Sequence, residues 1–249
     1  MHQFLIVLAA GYGAVTGPLL ARPGYRLSVE PGQPWRSVCP HGHAVPRGPR
    51  GWLGTTGCAS SVGCPQAAAH GPRKIPLALV TGGCCAAVAA AAGIRPELMV
   101  WLLLIPGMVL LGVVDRAVQR LPDVLTLPLG VLAAGGLGLA SLLPEAGGSW
   151  SGALLGGAGL GVGYFLLFLI HPRGMGFGDV KLAIPVGTVL GWYGWDAVFL
   201  GTFAGFLLAA GYGLLLVVAR RASRRTEIPL GPFMLLGALA AVLLSGLAG

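Results

Sequence analysis

Eight acidic residues stand in this sequence, and three of them, Asp115, Asp123 and Asp179, sit where long apolar stretches begin or end. Asp115 closes the run Leu110-Leu111-Gly112-Val113-Val114, and Asp179 follows Gly174-Met175-Gly176-Phe177-Gly178 to open another. The remaining acids have simpler explanations. Glu97, Glu145 and Asp196 fall in or beside short loops, where a carboxylate is solvated, and Glu30 and Glu227 balance strongly basic loops. Two carboxylates brought together share one proton, because like charges at close range do not both ionise. One then acts as base on a bound water while the other, protonated, polarises a scissile carbonyl. The two titrate as a unit. This is the chemistry of an aspartic protease, and it requires neither a metal nor a nucleophilic side chain. Other hydrolytic schemes fit worse: there is no HExxH, no GxSxG, and no serine partner for the histidines within a span.

The elements that must position these acids belong to a membrane. The chain is 55% hydrophobic and 10% charged, against roughly a quarter charged in soluble domains. Its apolar residues come in blocks near 4–21, 75–93, 97–114, 124–143, 151–170, 181–194, 196–219 and 229–248, most of them long enough to cross a bilayer, which takes about 20 residues. The fold expected is all-α, a polytopic membrane protein of about eight transmembrane helices. The first block lacks a basic preceding region and a small-x-small cleavage site, so it reads as a retained span rather than a signal peptide. Gly152, Gly156, Gly157, Gly159, Gly161 and Gly163 repeat a small-residue spacing that lets helix backbones approach closely. A phosphate-binding glycine loop would need a preceding strand and a GK[ST] ending, and neither is present.

Eight spans put alternate loops on opposite sides. The loops 22–74, 115–123, 171–181 and 220–228 carry fifteen of the sixteen Lys and Arg residues, and Arg95 alone lies on the other side. Basic loops stay in the cytoplasm. Both termini are therefore expected outside, and Asp115 and Asp179 at the cytoplasmic face. The formal charge of +8 is thus an orientation signal and not a nucleic-acid patch. Three parts follow: a first helix at 1–21, one small cytoplasmic loop domain at 22–74, and a helical membrane domain at 75–249. The loop is rich in proline, glycine and arginine, and is too poor in apolar residues to build much of a core alone.

Around the acids a family resemblance becomes specific. Gly176-Phe177-Gly178-Asp179-Val180-Lys181 resembles the GxGDxK signature of the type IV prepilin peptidases, a family of membrane aspartic proteases. Asp115 followed by Leu121-Pro122-Asp123 resembles that family's other catalytic segment, and Ile228-Pro229-Leu230-Gly231-Pro232-Phe233 resembles its IPxGPF segment. The resemblance spans roughly residues 98–240. It implies catalysis by Asp115 and Asp179 and removal of short basic leader peptides from prepilin- or pseudopilin-like membrane proteins at the cytoplasmic membrane. Gly176, Gly178, Lys181 and Asp123 are expected to bind substrate or support the site. Beside Pro122, Asp123 reads as the cap that starts the next helix. Lys181 would not share a helical face with Asp179, and it can serve to hold a phosphate, to hold a substrate carboxylate, or to anchor the chain at the membrane surface.

Many members of that family also bind zinc through paired CxxC motifs in the first loop and methylate the new N-terminus with S-adenosylmethionine. Here the pattern departs: Cys39-Pro40-His41-Gly42-His43 is followed by Cys58 and Cys64, with no CxxC. Cys39, His43, Cys58 and Cys64 make a four-ligand set of the kind zinc prefers, and a loop with unligated cysteines is the alternative. Proteolysis itself needs no cofactor on this reading. From a different class, the two aspartates would also suit the relay of a proton- or ion-coupled transporter, although both lie at one face.

Overall fold

The computed structural model describes the chain apart from residues 31, 41, 46–47, 55–70, 173, 222–227 and 249. Ten helices occupy the described residues: α1 (His2–Leu19), α2 (Ala21–Leu27), α3 (Pro49–Trp52), α4 (Lys74–Ala92), α5 (Glu97–Val118), α6 (Asp123–Ala140), α7 (Trp150–Ile170), α8 (Phe177–Tyr193), α9 (Trp195–Val218) and α10 (Gly231–Ala248). Every apolar block read from the sequence is a helix. In hydrocarbon a helix satisfies its own backbone hydrogen bonds, which is why apolar runs of this length take no other form. Among the described residues the only extended pairing is one antiparallel bridge between Val38 and Ala44.

Five helices, α4, α5, α6, α7 and α9, are long and apolar enough to cross a membrane, and α1 with α2 makes a sixth if that pair, bent by 42°, is one span. The protein is a multi-pass, all-helical membrane protein. Helix α10 is apolar but shorter, and α8 starts at Phe177, earlier than the apolar block at 181–194, so that Asp179 lies within its first turn.

Packing is tightest between α7 and α8, α1 and α4, and α9 and α10. Glycines bring α7 and α8 together. A Cβ on Gly156 would stand 2.5 Å from the Gly187 carbonyl oxygen, and one on Gly152 would stand 2.6 Å from that of Gly191. The glycine-rich block is therefore a packing face, as its spacing predicts. Gly13 and Gly17 of α1 meet the backbone of Thr81 and Leu77 of α4 in the same way. These contacts fix the level at which α8, and with it Asp179, stands in the bundle.

The segment after α1 is tied to the bundle. Leu20, Ala21 and Leu27 are buried with Leu77, Leu110 and Val114, and an Arg120 guanidinium NH donates to the Glu30 carbonyl at 3.2 Å. The Arg26 guanidinium lies 4.0 Å over the Trp52 ring, which Trp35 also meets edge-on at 5.0 Å. Cation–π and aromatic contacts thus give this polar stretch some of the cohesion its sparse apolar residues lack.

Glu97 departs from expectation. Read as a solvated loop carboxylate, it is 0% exposed, and it accepts the Gly147 backbone N–H at 3.2 and 3.3 Å on its two oxygens. The loop between α6 and α7 folds back over the start of α5, and this carboxylate is the post it is tied to.

Candidate active site

A cavity of about 1170 Å³ opens where α5 ends and α6, α8 and α10 begin. Asp115 reaches it from the last turn of α5. That helix stops because Gln119 adopts a left-handed conformation, φ 49°, and its N–H returns to the Asp115 carbonyl at 2.7 Å. Asp179 reaches it from the first turn of α8. Both carboxylates are buried, 4% and 8% exposed, and both line the cavity.

The two are held alike. Asp179 Oδ2 accepts the backbone N–H of Gly176 at 3.2 Å, and Asp115 Oδ2 accepts that of Gly231 at 3.1 Å. Each donor is a glycine at the start of a helix, α8 in one case and α10 in the other, so each carboxylate also sits at the positive end of a helix dipole. Among the described residues no other hydrogen bond reaches either side chain. One oxygen of each acid is fixed, and the second is left for water or substrate.

The glycines serve by being small. A Cβ on Gly231 would lie 2.7 Å from Asp115 Oδ2, so any side chain there displaces the carboxylate. Gly178 backs onto Leu121, where a Cβ would stand 3.1 Å from the leucine Cβ. It seats α8 against the α5–α6 turn, and Gly174, Gly176 and Gly178 all line the cavity.

Asp123 and Lys181 meet across the mouth. Lys181 Nζ donates to Asp123 Oδ1 at 2.6 Å and lies 5.0 Å over the Phe177 ring. Asp123 is the first residue of α6, with Pro122 at the cap position, and its side chain makes no capping hydrogen bond. The capping role read from the sequence is therefore corrected: the lysine ammonium offers the carboxylate a charge-assisted bond that a neutral amide does not match.

Two residues that sequence reasoning left out of the site also line the cavity: Trp35, from the loop after α2, and His171, which ends α7. No local pattern marks Trp35, since its place depends on the Arg26–Trp52 stack that supports it. For His171, its position one loop before Asp179 is the signal that could have found it.

For zinc, Cys39 Sγ lies 3.5 Å from His43 Nδ1, across a turn closed by the Cys39 N–H to the His43 carbonyl at 2.8 Å. Soft sulfur and imidazole nitrogen side by side fit two of the four ligands of such a site. Cys58 and Cys64 lie outside the described residues, as does His41.

Comparison with known proteins bears on the family. The sequence profile of the type IV leader peptidase family matches residues 102–218, a stretch that holds Asp115, Asp123, Asp179 and Lys181. A prepilin leader peptidase/N-methyltransferase of Aeromonas hydrophila is 31% identical over 237 residues, 89% of this chain and 74% of that protein. Proteins of the same name from Pseudomonas aeruginosa and Escherichia coli K12 are 34% and 33% identical, over 57% and 52% of this chain. The matches span 48% of the Pseudomonas protein and 56% of the Escherichia protein, about half the length of each. No solved structure matches the chain significantly.

Proposed function

As this chain belongs to the type IV leader peptidase family, we propose that it is a membrane aspartic endopeptidase that removes leader peptides from prepilin-like proteins. The observation that carries the reading is the matched pair: Asp115 and Asp179, each with one oxygen on a glycine amide, lining one cavity. A water held between the free oxygens loses a proton to one carboxylate as it attacks the scissile carbonyl. The other carboxyl, protonated, donates to the carbonyl oxygen, and the proton taken from water passes to the leaving amine. The amides of Gly176 and Gly231 keep both groups in place through these transfers without reorganisation.

The proposed setting is a cytoplasmic membrane with eight spans, α8 and α10 completing the set, and both termini outside. The distribution of Lys and Arg supports this arrangement. It places the aspartates on the side where a basic leader stays while the substrate's apolar helix sits in the bilayer. Zinc, held by Cys39, His43, Cys58 and Cys64, would clasp the 22–74 loop, and no proteolytic step runs through it. The relatives' names include N-methyltransferase, and that second reaction on the new N-terminus would draw its methyl group from S-adenosylmethionine. A transporter reading gains nothing from the family, and acids confined to one end of the bundle give ions no route across.

Co-expression with a candidate prepilin tests the proposal. Asp115→Ala and Asp179→Ala should each abolish leader loss on a gel, while Asp123→Ala leaves some. Full processing by either of the first two variants would sink the assignment. Mass spectrometry of the mature N-terminus decides methylation in the same samples, and elemental analysis against Cys39→Ser decides zinc.

A further inference from the structure

A second cavity, of about 840 Å³, lies apart from the aspartates between α4, α5 and α10. Its walls are apolar along most of their length: Leu77, Val80 and Val88 from α4, Leu104 and Met108 from α5, and Leu239 from α10. Val80 and Leu236 at its lip are 52% and 51% exposed, so the trough opens sideways, towards the hydrocarbon. From Pro76 to Val88 it follows thirteen residues of α4, about 18 Å of helix. That is close to the depth of one leaflet, half of a hydrocarbon core about 30 Å thick.

One end of the trough is unlike the rest. Arg73, just before α4, and Arg116, in the last turn of α5, both line it, and Arg36 joins them from the loop. All three are exposed. Among the described residues the one ion pair is Lys181 with Asp123, so no described carboxylate pairs with this cluster. Arg36 rests 4.8 Å over the Tyr25 ring, which orients its guanidinium without consuming its charge. Guanidinium groups of this kind favour the oxygen pairs of a phosphate.

We propose that this trough is a binding site for an anionic glycerophospholipid, with an acyl chain along α4 and the headgroup phosphate on Arg36, Arg73 and Arg116. A transmembrane helix from another protein would also suit an apolar trough. The three cations at its mouth, none ion-paired among the described residues, select instead a molecule that is apolar at membrane depth and anionic at its head. Basic pockets between helices at a membrane surface have this ligand chemistry. The proposal does not depend on the leader-peptidase reading, because nothing in it involves the aspartates.

The test uses the full chain in mild detergent, mixed with phosphatidylglycerol or phosphatidylcholine and measured by native mass spectrometry. Phosphatidylglycerol should remain bound, one per chain, under conditions that strip phosphatidylcholine. The triple variant Arg36→Gln, Arg73→Gln, Arg116→Gln should retain it about a hundredfold more weakly, roughly fivefold for each cation. Val80→Trp, which fills the trough and leaves the cations, should lose it as well. If the triple variant does not fold, Arg73→Gln alone should show the single-cation loss. Equal retention of the two lipids by the parent chain would overturn the proposal. So would undiminished phosphatidylglycerol on the arginine variants, or a photo-crosslinker at Leu236 that captures a prepilin helix in place of lipid.

Discussion

The backbone amide of Gly231, the first residue of α10, donates to the carboxylate of Asp115, 116 residues earlier, at 3.1 Å. This bond joins the end of α5 to the start of α10, and it sets which oxygen of Asp115 stays free. A methyl group at 231 would fall 2.7 Å from that carboxylate oxygen, inside any real contact distance, and a tight 3.1 Å from its carbon.

Gly231→Ala should therefore fold yet cleave poorly. Loss of a hydrogen bond to a charged group costs about 1.5–3 kcal/mol, which corresponds to about a 10- to 100-fold fall in the rate of leader removal. Thermal unfolding in detergent should move little, since Gly231 starts its helix rather than lying within it. Single-turnover cleavage of a prepilin peptide checks the rate, and a parental rate would show that the amide does not position Asp115.

The Lys181–Asp123 pair should behave as a strap and not as a source of stability. Its side chains are 28% and 57% exposed, and pairs that open to water contribute less than about 1 kcal/mol. Lys181→Ala and Asp123→Ala should each slow cleavage by about tenfold through misplacement of the site wall, and the double variant should be no worse than either. Exchanging the charges, Lys181→Asp with Asp123→Lys, should recover part of the rate. Additive losses would mean that the two act separately.

What could be read before folding was what depends on local pattern. Eight apolar blocks became eight helices, and the residues around Asp115, Asp179 and Gly231 were already flagged as segments. What stayed hidden depends on chain returning from far away. Glu97 follows a proline and looks like a loop acid, and only the folding back of Gly147 buries it. The amide of Gly231 carries no signal of its partner, because a backbone N–H is the same at every non-proline residue. Gly13 and Gly17 are sparse in α1 and show no dense run like that in α7, yet they pack just as closely.

The glycine contacts between α7 and α8 predict opposite outcomes on one helix. Gly156→Ala places a Cβ 2.5 Å from the Gly187 carbonyl oxygen, which is backbone and cannot turn aside, whereas Gly163 has nothing within 4 Å of that position. Overpacking costs about 1–3 kcal/mol, so Gly156→Ala should lower the unfolding temperature and reduce cleavage together, by shifting α8 and Asp179. Gly163→Ala should be neutral or stabilising by up to about 1 kcal/mol, since alanine is the better helix former. Equal behaviour of the two would remove packing as the reason for the run.

Glu97 offers the last separation, between folding and chemistry. It lies eighteen residues before Asp115 on α5, about 27 Å away along the helix, so it touches nothing in the catalytic cavity. Its removal in Glu97→Ala strands the Gly147 N–H and frees the loop that covers the start of α5. An orphaned donor costs about 1–3 kcal/mol when fully buried; Gly147 is half-buried, so the unfolding temperature should drop by a part of that. Glu97→Gln keeps an acceptor oxygen and should lose less than the alanine variant. In both variants, the fraction that remains folded should cleave at the parental rate, because Pro106 removes a hydrogen bond from α5 between the two ends and lets the first half shift without the second. A fall in the rate per folded molecule would instead mean that α5 tilts as a body when this post is removed, and that the two ends of the helix are mechanically coupled.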